Sequence, residues 1–138
     1  MPKATYHLDR QPIPEGFRIY FDRLPVAGLF ARKPEAGKFC GGKDQQLRLQ
    51  LDPANEHDRN AIRIYGSWKG WLAREEGHIG FVPAEEAALL AELGIADRVL
   101  PRLLKTYPGT DDYSEVLFQI LGPVETFPAF KSLRQRLR

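Results

Sequence analysis

Between residues 47 and 121 the apolar positions change period several times, and each change marks an element. In "LRLQL" (47–51), Leu47, Leu49 and Leu51 alternate with Arg48 and Gln50, the two-residue period of a half-buried strand. "AIRIY" (61–65) repeats this with Ile62 and Ile64 on one face. "LPVAGLF" (24–30) reads as a fully buried strand, and "GHIGFVP" (77–83) as a short one. Gly80 interrupts the latter where the backbone bends or is closely approached. The period then lengthens. "PAEEAALLAELG" places Pro83 at a first helical position, Glu85 and Glu86 in the first turn, and Gly94 where a left-handed cap belongs. Leu89, Leu90 and Leu93 form its apolar face. "RVLPRLLKTY" (98–107) and "YSEVLFQIL" (113–121) return to strands, with Pro101 expected at an edge or bulge.

These elements predict a mainly β (α+β) fold: a small OB-like antiparallel barrel of five to six strands with one or two helices. They alternate too little for a parallel βαβ sheet. At 138 residues the chain is expected to be a single domain, its core about 24–123, followed by a basic C-terminal tail, 124–138. No internal repeat or long linker divides it.

Composition narrows the class. No apolar run approaches 18 residues, so no membrane partner is expected. "MPKATYHLDR" lacks the apolar core of a signal peptide, and the single cysteine, Cys40, can form no internal disulfide. A reducing, cytoplasmic location is the expectation. Net charge is +2 but unevenly spread. Residues 1–50 carry nine basic and five acidic groups, 51–97 four and nine, and 98–138 seven and four. Such asymmetry permits a basic face for a polyanion, although charge alone favours a solvated surface of mixed charge.

The chemistry concentrates in "DPANEHDRNAI" (52–62), between two strands. It is no EF-hand. Counted from Asp52, the third, sixth and twelfth positions hold Ala54, His57 and Arg63, where that loop needs an acceptor, Gly and Glu. A hydrolytic pair of His57 and Asp58 lacks a Ser or Cys nucleophile. Zinc through Cys40, His57 and His78 would need three distant loops to converge. Asp52, Asn55 and Asn60 suit turn formation, since their side chains bond nearby backbone N–H groups. His57 and Asp58 are not needed to close a turn.

"LQLDPANEHDRNAIRIYG" followed by "GHIGFVPAEEAALLAEL" resembles the HIRAN domain. That family occurs in chromatin-remodeller-like helicases and in stand-alone bacterial proteins. Asp52-Pro53, Asn55, Asp58, Asn60-Ala61-Ile62 and Gly80 with Pro83 stand in the family's order. The resemblance is strong over Leu47 to Leu93 and looser over Val26 to Pro123. It implies an OB-like barrel that binds single-stranded DNA by a free 3′ end, without catalysis or cofactor.

Carried across, the family's Asp that bonds the terminal 3′-hydroxyl falls on Asp58, and its base-stacking Tyr on His57. An upstream Arg-Tyr pair falls on Phe30 and Ala31, with Arg32 and Lys33 just beyond. An aromatic of the last hairpin corresponds to Tyr113. Trp68 and Trp71 sit on "SWKGWLAREEG", longer than the family's turn, with Trp68 expected to lean towards exposure. The reading is a non-enzymatic module for single-stranded DNA or DNA ends, in DNA repair or processing. Arg32, Lys33, Arg48 and Arg59 are its expected phosphate contacts. No phosphate-binding Gly-Lys-Ser/Thr loop is present, so any ATPase would belong to a partner, and a helicase or nuclease is the partner expected. A protein-interaction barrel is the alternative.

Overall fold

The computed structural model describes residues 3–110 and 113–137. Its strands are β1 (Thr5–Tyr6), β2 (Phe17–Pro25), β3 (Gln46–Leu51), β4 (Ile62–Lys69), β5 (Arg74–Phe81), β6 (Leu100–Thr110) and β7 (Tyr113–Pro123). Its α-helices are α1 (Lys33–Cys40), α2 (Ala84–Glu92) and α3 (Phe127–Arg136). Short 3-10 turns precede α1 and α3, at Leu29–Arg32 and Val124–Thr126.

Two antiparallel sheets, ordered β1-β6-β7-β2 and β3-β4-β5, enclose one core. They are joined where β2 ends. Ala27 exchanges both backbone hydrogen bonds with Phe81 at the end of β5, each 2.8 Å. On the other margin β3 lies against β6. The result is the expected OB-like barrel, incompletely hydrogen-bonded around its circumference. Gly80 makes the junction possible, because a Cβ there would stand 2.4 Å from the Ala27 carbonyl oxygen.

Alternation was a sound guide in β4, where Ile62, Ile64 and Trp68 are buried and Arg63, Tyr65 and Ser67 face outward. α2 forms where expected, with Pro83 its extended N-cap rather than its first helical residue, Ala87, Leu89 and Leu90 buried, Leu93 half-buried at the C-cap, and Gly94 left-handed at φ 72°. Pro101 is tolerated because its part of β6 pairs with β7 alone, while β1 reaches only Lys105 and Thr106. In β7 the alternation gives way. Leu117, Gln119 and Leu121 are buried as well as Val116, Phe118 and Ile120, so both faces of this central strand are covered. Gln119 is satisfied by the Asp22 carbonyl (3.1 Å) and by Arg102 (3.0 Å).

Three expectations are corrected. Residues 24–30 are not one strand: β2 stops at Pro25 and the chain turns at Gly28 (φ 76°) into the 3-10 turn. Next, α1 replaces an expected loop. Gly37 in its middle disguises it, but Ala36, Phe39 and Cys40 recur at helical spacing and are buried. Gly66 leaves room for Phe39, whose ring would lie 2.6 Å from an added Cβ. Finally, most of the expected C-terminal tail is a packed helix. Phe130 of α3 stacks on Tyr20 at 4.4 Å and meets Phe21 edge-on at 5.1 Å, burial that outweighs the segment's charge.

Candidate nucleic-acid interface

The loop between β3 and β4 is held by its own side chains. Asp52 donates its N–H to the Ala61 carbonyl at 2.9 Å, closing the loop's base. The Asn55 side-chain oxygen accepts the N–H groups of His57 (2.9 Å) and Asp58 (3.0 Å). Its amide donates to Asp52 Oδ2 (3.1 Å), which also accepts Arg63 Nε (3.1 Å). The Asn55 amide, then Arg63, hold the Asp52 carboxyl below the usual carboxylate range. Turn-forming thus accounts for Asp52 and Asn55, while Asn60 contributes a backbone N–H.

That N–H is bonded by Asp58. Its Oδ1 accepts Asn60 N–H at 2.8 Å, and among the described residues no donor reaches its second oxygen. Asp58 is half-buried; the His57 side chain beside it is exposed. Arg59 is exposed and without a partner among the described residues.

The 3-10 turn before α1 borders the same end of the three-stranded sheet, because the bridge at Ala27 fixes its start against Phe81. Phe30 is 70% exposed, with the Lys33 ammonium 4.1 Å from its ring centre. These two residues, with Pro34, line an open groove of about 820 Å³ whose far wall is Pro108, Ser114 and Leu117. The Tyr113 side chain lies outside the described residues.

Behind the turn, Arg32 lies close enough to His78 to help lower its pKa, after the larger effect of burial. His78 bonds the Gly80 carbonyl (2.8 Å) and packs against Phe81 (4.9 Å) and Tyr65 (5.3 Å). Arg48 covers the Tyr65 ring at 4.4 Å but is already engaged by Glu76, at 2.8 and 3.1 Å. Its charge is therefore compensated.

The expected residues thus fall into parts. His57, Asp58 and Arg59 share one loop, while Phe30, Arg32 and Lys33 share the turn. Arg48 stands apart on the outer face of the sheet. Arg63, Tyr65, His78 and Phe81 link these parts, and no motif in the sequence marks them as a group. The outward positions of β4 carried the signal for two of them. Trp68 is corrected: it is buried, donates to Glu75 (3.1 Å) and packs over Gly42. Cys40 is also buried, which pushes its thiol up to about 11 and suits neither a reactive thiol nor a zinc ligand.

A small two-sheet barrel with a polar loop and exposed cations at one end of a sheet belongs to the OB-like class of binding domains. The sequence profile of the HIRAN domain matches residues 31–100, half of the chain, and the chain belongs to that family, known as a DNA-binding one. Two solved structures are similar. The NMR structure of the HLTF HIRAN domain covers 88% of this chain and 91% of that one, with 18% identity and a TM-score of 0.52. The crystal structure of the HIRAN domain of human HLTF covers 90% and 94%, with 18% identity and a TM-score of 0.49. At such identity the likeness is one of fold. No curated protein sequence matches the chain.

Proposed function

We propose that this HIRAN domain binds single-stranded DNA by its free 3′ end and does no chemistry on it. The observation that carries the reading is Asp58, a carboxylate set in a braced turn with one oxygen unengaged by any described donor. A carboxylate repels phosphate, so a groove built for the DNA backbone alone would not place one there. An ionised carboxylate only accepts hydrogen bonds, and the backbone's good hydroxyl donor is at a strand end. A bond of that kind contributes about 1.5–3 kcal/mol, or roughly 10- to 150-fold in preference for an end.

Around Asp58 each neighbour has a role in the reading. His57 meets the terminal base, Phe30 offers a second aromatic surface, and Arg32, Lys33 and Arg59 receive phosphates. Arg48 joins them only when released from Glu76, and Tyr113 meets the strand farther along. In this reading the domain serves DNA repair or processing in the cytoplasm, delivering ends to a helicase or nuclease partner.

The test compares single strands ending in 3′-hydroxyl or 3′-phosphate with circular strands. The 3′-hydroxyl strand should bind at least about 10-fold more tightly than the others, and Asp58→Asn should reduce the discrimination against 3′-phosphate. Equal affinity for all three would overturn end recognition.

A further inference from the structure

The β4–β5 hairpin ends in a turn of unexpected composition. Its four tip residues are Gly70, Trp71, Leu72 and Ala73, closed by a hydrogen bond from Gly70 N–H to the Ala73 carbonyl at 3.0 Å. Exposed hairpin tips favour Gly, Asn and Asp. Here Trp71 is 94% exposed and Leu72 86%, adjacent, with no core beneath them. A local choice that opposes both turn chemistry and solubility points to contact with something outside the chain.

The surroundings say what that is. Lys43 and Lys69, joined by a backbone hydrogen bond of 2.9 Å, flank the tip with exposed side chains; of the carboxylates beside them, Glu75 is bonded by Trp68 and Asp44 by Arg74. The outward face running down from it holds Arg48 over Tyr65, then Arg63 and His78; Glu76 is its one carboxylate among the described outward positions of β3, β4 and β5 and engages Arg48, while Asp52 of the loop engages Arg63. Aromatic rings interleaved with cations suit a single strand, which needs stacking surfaces and phosphate partners. An acidic protein partner would find the same charges but would leave the aromatic row unused.

We propose that the Trp71–Leu72 tip is a second contact for single-stranded nucleic acid, taking a base internal to the strand whose end lies near Asp58. The inference rests on the end-binding reading and extends it to a footprint. From Arg63 to Lys69 is six residues of β4, roughly 20 Å at about 3.3 Å per residue. That distance is about six nucleotides at a stacked spacing of ~3.4 Å, within the roughly 4–16 engaged by one OB fold. A dinucleotide therefore fills the end pocket only, whereas an octanucleotide reaches the tip.

The experiment titrates the full chain with 3′-hydroxyl dinucleotides and octanucleotides, following tryptophan fluorescence and, separately, the anisotropy of a 5′ dye. The octanucleotide should quench the exposed Trp71 and the dinucleotide should not. Trp71→Ala should weaken the octanucleotide about 5- to 150-fold, leave the dinucleotide unchanged, and be partly rescued by Trp71→Phe. Equal loss for both lengths, or no loss for either, overturns the tip contact while leaving end binding intact. Failure to bind any oligonucleotide overturns both. A tip silent to nucleic acid whose Trp71→Ala variant abolishes self-association of the chain, followed by sedimentation, would make it a protein contact and overturn the inference.

Discussion

Asn55 holds Asp58: its side-chain oxygen accepts the Asp58 backbone N–H at 3.0 Å, so the carboxylate proposed to meet a DNA end is positioned from three residues away. The same oxygen takes the His57 N–H at 2.9 Å, and the Asn55 amide reaches Asp52. One side chain therefore organises the whole turn. Asn55→Ala removes the acceptor of two backbone donors that water can reach and should cost about 0.5–1.5 kcal/mol, read as a lower urea midpoint at unchanged slope. The preference for a 3′-hydroxyl should fall further than general affinity does, since the loss is one of positioning. A variant of unchanged stability and unchanged end preference would remove Asn55 from that role.

Affinity for a single strand should decline linearly with the logarithm of salt concentration. The slope is about 0.7 per phosphate neutralised, so two or three contacts from Arg32, Lys33 and Arg59 give roughly 1.4 to 2.1. A flat response in a fluorescence titration from low to moderate salt would favour the protein-interaction alternative, in which apolar burial dominates.

Glu76 restrains Arg48 through two contacts, at 2.8 and 3.1 Å, while the guanidinium lies over Tyr65. Glu76→Gln should free that cation for a phosphate, steepening the salt slope by about 0.7 and raising affinity at low salt. Arg48→Ala in the native background should change binding little. The reverse ranking would mean that Arg48 contacts nucleic acid despite its carboxylate.

Gly80→Ala tests how the fold positions the site. The added Cβ would meet the Ala27 carbonyl oxygen at 2.4 Å, a backbone atom that no rotamer change can remove. The bridge between the sheets should open at a cost of about 1–3 kcal/mol. Amide exchange at Ala27 and Phe81 should accelerate, and binding should weaken because the turn carrying Phe30 and Arg32 begins there. Unaltered exchange at both residues would contradict the junction's importance.

Acid should destabilise the protein through two imidazoles, one buried and one half-buried. His7 is buried, its Nε2 2.8 Å from the Thr106 hydroxyl, and burial, then Arg10, hold its pKa below 6.5. His78 is lowered in the same direction, by burial and then Arg32. A depressed pKa means that the unfolded chain takes up the proton first as pH falls. Stability is therefore full above about 6.5 and declines below it, towards the folded-state values. Urea midpoints at pH 7.5 and 5.5 should differ, and by less in a His7→Gln, His78→Gln double variant.

Local chemistry in the sequence determined much of this protein. The alternation of Ile62 and Ile64 with Arg63 and Tyr65, the capped helix ending at Gly94, and the turn residues Asp52 and Asn55 are all short-range signals. Each depends on neighbours within a few positions, which is why periodicity and residue type suffice to read them. The family resemblance lay in the same stretch. Tertiary structure alone decided the rest. It buried Trp68, because α1 and its flanking glycines cover that side of the hairpin, and it folded a charged C-terminus into a helix, because Phe130 found Tyr20. It also set the turn bearing Phe30, Arg32 and Lys33 against the end of β5, through a two-residue bridge spanning more than fifty positions of chain. Contacts across such separations depend on which surfaces the fold brings together, and no local pattern encodes that pairing.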